Sequence, residues 1–111
     1  MIYKILRGPE FAVLAAQGDT PGAPVDVADG YVHFSTADQV AGTAARHFAE
    51  EDGLWLLACD DRAMVPLRWE PSRGGALFPH LYRRLAVADV VWARPLPRRD
   101  GGGHAFPGGL E

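Results

Sequence analysis

The run Leu54-Trp55-Leu56-Leu57-Ala58-Cys59 is apolar at every position. A strand that faces water on one side alternates apolar and polar residues, so a short unbroken apolar run predicts a central strand buried on both faces. Asp52-Gly53 turns the chain into this run, and Asp60-Asp61-Arg62 turns it out again. Working outward, Ile2 to Leu6 alternates large apolar and polar residues and predicts a short opening strand, broken by Gly8-Pro9.

Pro9 suits the first turn of a helix, and Glu10 to Gln17 places Phe11, Leu14 and Ala15 on one face before Gly18 stops it. Residues 19 to 30 carry repeated turn signals and read as a loop closing on Asp29-Gly30. Tyr31 to Phe34 reads as a strand, and Thr36 with Gln39 has capping-box spacing for a helix running to about Glu50, with Val40, Ala44 and Phe48 on one stripe. Further strands are expected at Val65 to Trp69, Phe78 to Tyr82 and Val87 to Leu96, the last with Val87, Val91 and Trp92 facing inward. The order β-α-β-α-β-β-β-β predicts an α+β fold: a single small domain over residues 1–97, two helices in its first half packed on a mostly antiparallel sheet, ending in a meander. Residues 98–111 are rich in glycine and are expected to form a disordered tail.

Composition sets the outer bounds. The chain has 111 residues, 48% of them hydrophobic and 23% charged, a globular balance that accommodates one core. A net charge of −3 supplies no concentrated basic face for nucleic acid or an anionic membrane. Cys59 is the only cysteine, which excludes an intrachain disulfide and a cysteine-based zinc cluster, and its place in the apolar run reads as burial rather than reactivity. Neither a signal peptide nor a membrane span is visible, so a cytoplasmic protein is expected.

Three segments carry chemistry. In Asp29-Gly30-Tyr31-Val32-His33-Phe34-Ser35-Thr36, strand alternation puts His33 and Ser35 on one face, beside a helix start that favours anions. In Arg68-Trp69-Glu70-Pro71, a carboxylate at a strand end is placed to act as a base or to stabilise a developing cation. In Phe78-Pro79-His80-Leu81-Tyr82, an extended chain gives an imidazole and a phenol side by side. Each segment also has a purely structural reading: a hydrogen-bonded core histidine, a Glu70 paired with Arg68 or Arg73, a turn aromatic packed over a sheet edge. Jointly they favour a cleft built on His33, Glu70 and His80. No His-x-His or His-x-x-x-His pair occurs, so no metal is expected.

Together with Ile2-Tyr3-Lys4 and Gln39, these segments resemble the small bacterial family known as domain of unknown function 952, over roughly residues 2 to 95. That family implies no reaction. More distantly, the layout is similar to the ADP-ribosyltransferase-like fold, whose members include NAD-dependent transferases. That similarity implies Tyr3 as the first-strand aromatic, Ser35-Thr36 as the hydroxyl position and a glutamate that steadies an oxocarbenium-like transition state. Lys4 stands where such proteins have a histidine, and Glu70 precedes the final strands instead of following them. The resemblance thus implies a nucleotide-type ligand, NAD or ADP-ribose, with Tyr3, Lys4, His33, Ser35, Thr36 and Tyr82 as binding residues and Glu70, His33 and His80 as catalytic ones. Two other functions stay open. His33-Phe34-Ser35 has the His-x-Ser spacing of two-histidine phosphoesterases, although His80-Leu81-Tyr82 places Tyr in the second motif. A non-enzymatic binding module is the other.

Overall fold

The computed structural model describes residues 1–111, the side chain of Arg73 excepted. Strands β1 (Ile2–Arg7), β4 (Leu54–Cys59) and β8 (Val90–Leu96) form an antiparallel sheet in the order β1-β4-β8. The apolar run is therefore the middle strand, and it is buried on both faces as expected. Trp55, Leu57 and Cys59 join Ile2 and Leu6 in one core cluster, whereas Leu54, Leu56 and Ala58 join Tyr3 and Ile5 in a second. The first cluster is completed by Leu14 of helix α1 (Gly8–Gln17) and by Val32, Phe34 and Leu81, and Phe11 stacks on Trp55 at 4.2 Å. The second is completed by Val40, Ala44 and Phe48, so the expected stripe of helix α3 (Ala37–His47) is the one that packs. Burial holds the Cys59 thiol up at about 12, which makes it a small hydrophobe rather than a nucleophile.

A second antiparallel sheet, in the order β3-β6-β5, joins β3 (Val32–His33), β6 (Leu77–Leu81) and β5 (Leu67–Pro71). A two-stranded ribbon pairs β2 (Asp19–Thr20) with β7 (Leu85–Ala86). The α+β class holds. The strands of the second half are shared among three sheets, however, so the expected single meander is absent.

Three further expectations are corrected. Residues 19–30 are not all loop, because Pro24–Asp29 forms helix α2. Pro24 opens it, the Asp26 carboxylate accepts the Ala23 N–H at 2.6 Å, and Gly30 closes it at φ 84°. Val87 and Val91 are exposed rather than inward. Asp89 accepts from Ala86 N–H at 2.9 Å and from Arg83 at 2.8 and 2.9 Å, which winds Val87–Asp89 into a tight turn and delays the strand to Val90. Finally, residues 98–111 fold back onto the domain. His104 is buried and bonds the Glu51 carbonyl at 2.9 Å, and Phe106 and Leu110 pack on the second core. These three side chains supply the packing surface that the glycine content obscures. No helix among the described residues is long and apolar enough to cross a membrane.

Candidate functional site

The site is built on the β3-β6-β5 sheet. Val32 pairs with Leu81 and His33 with His80, while Arg68 of β5 lies on the other side of His80. Side chains alternate along a strand, so Val32 and Leu81 turn into the core and the residues beside them turn to the opposite face. That face carries Tyr31 and His33 from one strand and His80 and Tyr82 from the next. Tyr31 stacks on Tyr82 with centroids 5.1 Å apart, and the rings of His33 and His80 meet edge to face at 5.3 Å. Tyr31 also contacts His80 at 4.2 Å and His33 at 4.6 Å. The segments Tyr31-Val32-His33 and His80-Leu81-Tyr82 are reversed copies of one pattern, and antiparallel pairing closes them into a four-ring tile.

Carboxylates orient both imidazoles. Glu70 Oε1 lies 2.8 Å from His80 Nδ1 and accepts the Tyr82 hydroxyl at 2.7 Å. The Tyr82 and His80 bonds hold the Glu70 carboxyl below its ordinary range. The same bond to Glu70 raises the Tyr82 phenol, and desolvation with the nearby Asp29 and Glu70 raises Tyr31. Glu70→Gln is therefore expected to lower the titration midpoint of Tyr82, and of Tyr31 to a lesser degree. Ultraviolet titration of the phenolates measures it, and an unchanged curve would show that Glu70 does not hold the phenol.

His33 has a carboxylate on each side. Its Nδ1 lies 2.6 Å from Asp26 Oδ1 and its Nε2 lies 2.9 Å from Asp29 Oδ2. Both contacts are hydrogen bonds at once only when both ring nitrogens carry protons. Asp26 is 1% exposed and also accepts from Lys4 Nζ at 2.8 Å, from Ala23 N–H and from the His33 N–H at 2.9 Å. Burial opposes its charge, but the His33 and Lys4 contacts prevail and hold its pKa down at about 2. Lys4 owes its place to alternation: it lies between Ile2 and Leu6 on β1, both of which face the core, and burial at 6% exposure requires a counter-charge.

A cavity of about 690 Å³ opens beside the tile. It is lined by His33 and His80, by Tyr3, Lys4 and Ser35, and by Thr43, Arg46 and His47 of α3. The strand β1 meets the β3 extension through Tyr3 N–H to Ser35 C=O at 2.7 Å and the reciprocal bond at 2.9 Å. Of the residues expected from sequence, Tyr3, Lys4, His33, Ser35 and His80 thus line one cavity. Glu70 and Tyr82 stand behind His80 and act on it through hydrogen bonds. Thr36 stands outside the lining residues; its N–H bonds Gln39 Oε1 at 3.0 Å and opens α3. A pairing of Glu70 with Arg73 lies outside the described residues, and Arg68 stands over the Tyr82 ring at 4.9 Å.

Sequence reasoning overlooked Tyr31, Asp26 and Asp29. Tyr31 was accessible, since the alternation that joins His33 to Ser35 also joins it to Tyr31. Asp26 and Asp29 share helix α2, which the turn signals of residues 19–30 hide, so nothing in the sequence aims them at His33.

The fold and site define a small antiparallel α+β domain with a two-histidine, carboxylate-oriented cavity. The sequence profile of the family described as "Protein of unknown function (DUF952)" matches residues 5–93, and the chain belongs to that family. It is similar to protein CC0527 from Caulobacter crescentus. The crystal structure of that protein is 43% identical with a TM-score of 0.89, covering 94% of this chain and 92% of that one. A double-mutant crystal structure of CC0527 superposes equally well, with a TM-score of 0.89. Its solution structure, 44% identical, has a TM-score of 0.80 over 92% of this chain and 90% of that one. Among curated proteins, none matches.

Proposed function

We propose that the cavity binds a nucleotide-type small molecule, with NAD or ADP-ribose as the first candidates, and that the protein acts on it in the cytoplasm in the manner of a transferase. The observation that carries this reading is the convergence of His33 and His80, each with a carboxylate on Nδ1, on a cavity that Lys4, Ser35 and Arg46 also line. A cavity of about 690 Å³ falls within the range of small-molecule sites. With Nδ1 engaged by Glu70, His80 has Nε2 left for a ribose hydroxyl or a carboxamide. Glu70, kept ionised, is the carboxylate that steadies positive charge developing at an anomeric carbon, acting across His80. The hydrogen-bonded meeting of Tyr3 with Ser35 supports the same reading, because the resemblance assigns those two residues to one ligand.

Phosphodiester hydrolysis is the second reading, favoured by the 5.3 Å approach of the two imidazoles, one to act as base and the other as acid. Calorimetric titration with NAD, ADP-ribose and a 2′,3′-cyclic nucleotide separates the two. Saturable binding of NAD or ADP-ribose, reduced at least about tenfold in a folded His33→Ala variant, is the expected outcome. Binding of the cyclic nucleotide alone transfers the assignment to hydrolysis, and equal affinity in His33→Ala removes the site from consideration.

A further inference from the structure

Strand β5 (Leu67–Pro71) is an edge of the β3-β6-β5 sheet, and no strand among the described residues pairs with its outer side. The ladder with β6 decides which backbone groups that side presents. Arg68 stands opposite His80 and Glu70 opposite Phe78. The bonds from Tyr82 N–H to Pro66 C=O and from Ser72 N–H to Ala76 C=O, both 2.9 Å, continue the same register. Hydrogen-bonded positions recur every second residue in an antiparallel pair, so Pro66, Arg68, Glu70 and Ser72 bond inward. Leu67, Trp69 and Pro71 therefore turn their backbone groups outward, a ready template for another strand. Pro71 has no N–H, which limits the template at that end.

The side chains of this edge are complementary to themselves. Arg68 and Glu70 share the face of the aromatic tile, and Trp69, 45% exposed, lies on the other face. Arg68 stands over the Tyr82 ring but has no ion pair with a carboxylate among the described residues. Glu70 uses Oε1 for both His80 and Tyr82, and its Oε2 has no hydrogen bond among the described residues. Consider a second copy running antiparallel along β5, with the two Trp69 residues opposite each other. The outward N–H and C=O groups of the two Trp69 residues then bond reciprocally, and Leu67 N–H meets the carbonyl of Pro71 of the partner subunit. Arg68 falls opposite Glu70 of the partner subunit, twice by symmetry, at the positions where facing side chains come closest. Centring the pair on Arg68 or on Glu70 instead sets like charges against each other, so charge selects the Trp69-centred register.

We propose that the β5 edge is the contact surface for a second copy of this chain, giving a two-fold dimer in which the two β3-β6-β5 sheets join into one. The occupant is a second copy because one patch supplies both halves of the match: cation, anion and outward backbone groups in mirrored order. Arg68 of the partner subunit reaches Glu70 Oε2 while Oε1 keeps His80 and Tyr82. Each subunit thus braces the carboxylate that orients the other's imidazole, whatever ligand the cavity takes.

The test is sedimentation equilibrium of the full chain, carried up to about 1 mM because a single strand edge makes a small interface. A reversible monomer–dimer equilibrium is expected, weakening as salt is raised. Arg68→Glu and Glu70→Arg each set like charges across the pair, and each is expected to raise the dissociation constant at least about tenfold. Mixed in equal amounts, the two variants bring opposite charges together at both contacts, so the mixture is expected to recover the wild-type dimer. Arg68 is exposed, so Arg68→Glu folds and carries the test alone if Glu70→Arg does not. A wild type that stays monomeric at the highest concentration, a dimer unaffected by Arg68→Glu, or a mixture of folded variants that stays monomeric overturns the proposal.

Discussion

Asp26→Asn is expected to lower the thermal unfolding midpoint by about 12–20 °C at neutral pH. Asp26 is fully enclosed and serves four donors: Lys4 Nζ, the Ala23 and His33 backbone N–H groups, and His33 Nδ1. Asparagine keeps the shape but removes the charge and turns an N–H₂ group toward donors. Breaking one side of a buried ion pair costs about 3–5 kcal/mol because the other charge stays buried. In a domain of this length each kcal/mol shifts the midpoint by about 4 °C. The pH dependence gives a second check. The folded-state pKa, about 2, is depressed below the ordinary aspartate value of about 3.9. The stabilisation is thus complete above pH 4 and is lost as pH falls toward 2, about 2–3 kcal/mol in all. The stability gap between wild type and Asp26→Asn should narrow over that interval. A gap that stays constant from pH 5 to pH 2 would mean that Asp26 is not the buried anion described.

The second large effect comes from Gly22→Ala. Gly22 has φ +94°, and a Cβ there would stand 2.2 Å from Asp26 Oδ2. Neither atom has room to yield, since the carboxylate is fixed by its donors. Left-handed backbone at a non-glycine residue and overpacking each cost about 1–3 kcal/mol, so a loss of about 2–6 kcal/mol is expected by denaturant unfolding. Placed in an Asp26→Ala background, the same substitution meets no carboxylate and keeps only the contact with the Cβ of residue 26 at 2.9 Å, so it should cost clearly less. The two sites should therefore couple by about 1–3 kcal/mol. Strict additivity would dispose of the steric account.

The sheet framework was readable because it depends on local pattern. The apolar run at Leu54–Cys59 could satisfy its side chains only at the centre of a sheet, and the Val40-Ala44-Phe48 stripe could be buried only against it. Helix α2 was not readable in the same way. Its signals, Pro24 and Gly30, are also turn signals, and what makes it a helix is the Asp26 carboxylate returning to Ala23 and crossing to Lys4, a contact 22 positions away in sequence. The tail misled for a similar reason: glycine content advertises chain freedom, while the docking of His104, Phe106 and Leu110 depends on surfaces created by the rest of the fold. At the site, period-two alternation supplied the pairing of His80 with Tyr82 along one strand. The meeting of His33 with His80 depends on strand register, which no single segment specifies.

The central claim is that His33 and His80 share one ligand. The direct measurement is the nitrogen resonances of the imidazole rings, followed while ADP-ribose is titrated into the wild-type protein. The expected result is saturable movement of the His33 and His80 ring signals together, with one dissociation constant, while His104, bonded to the Glu51 carbonyl, keeps its position. Ring signals of His33 and His80 that stay fixed while the ligand saturates, or that move with different affinities, would contradict a shared site.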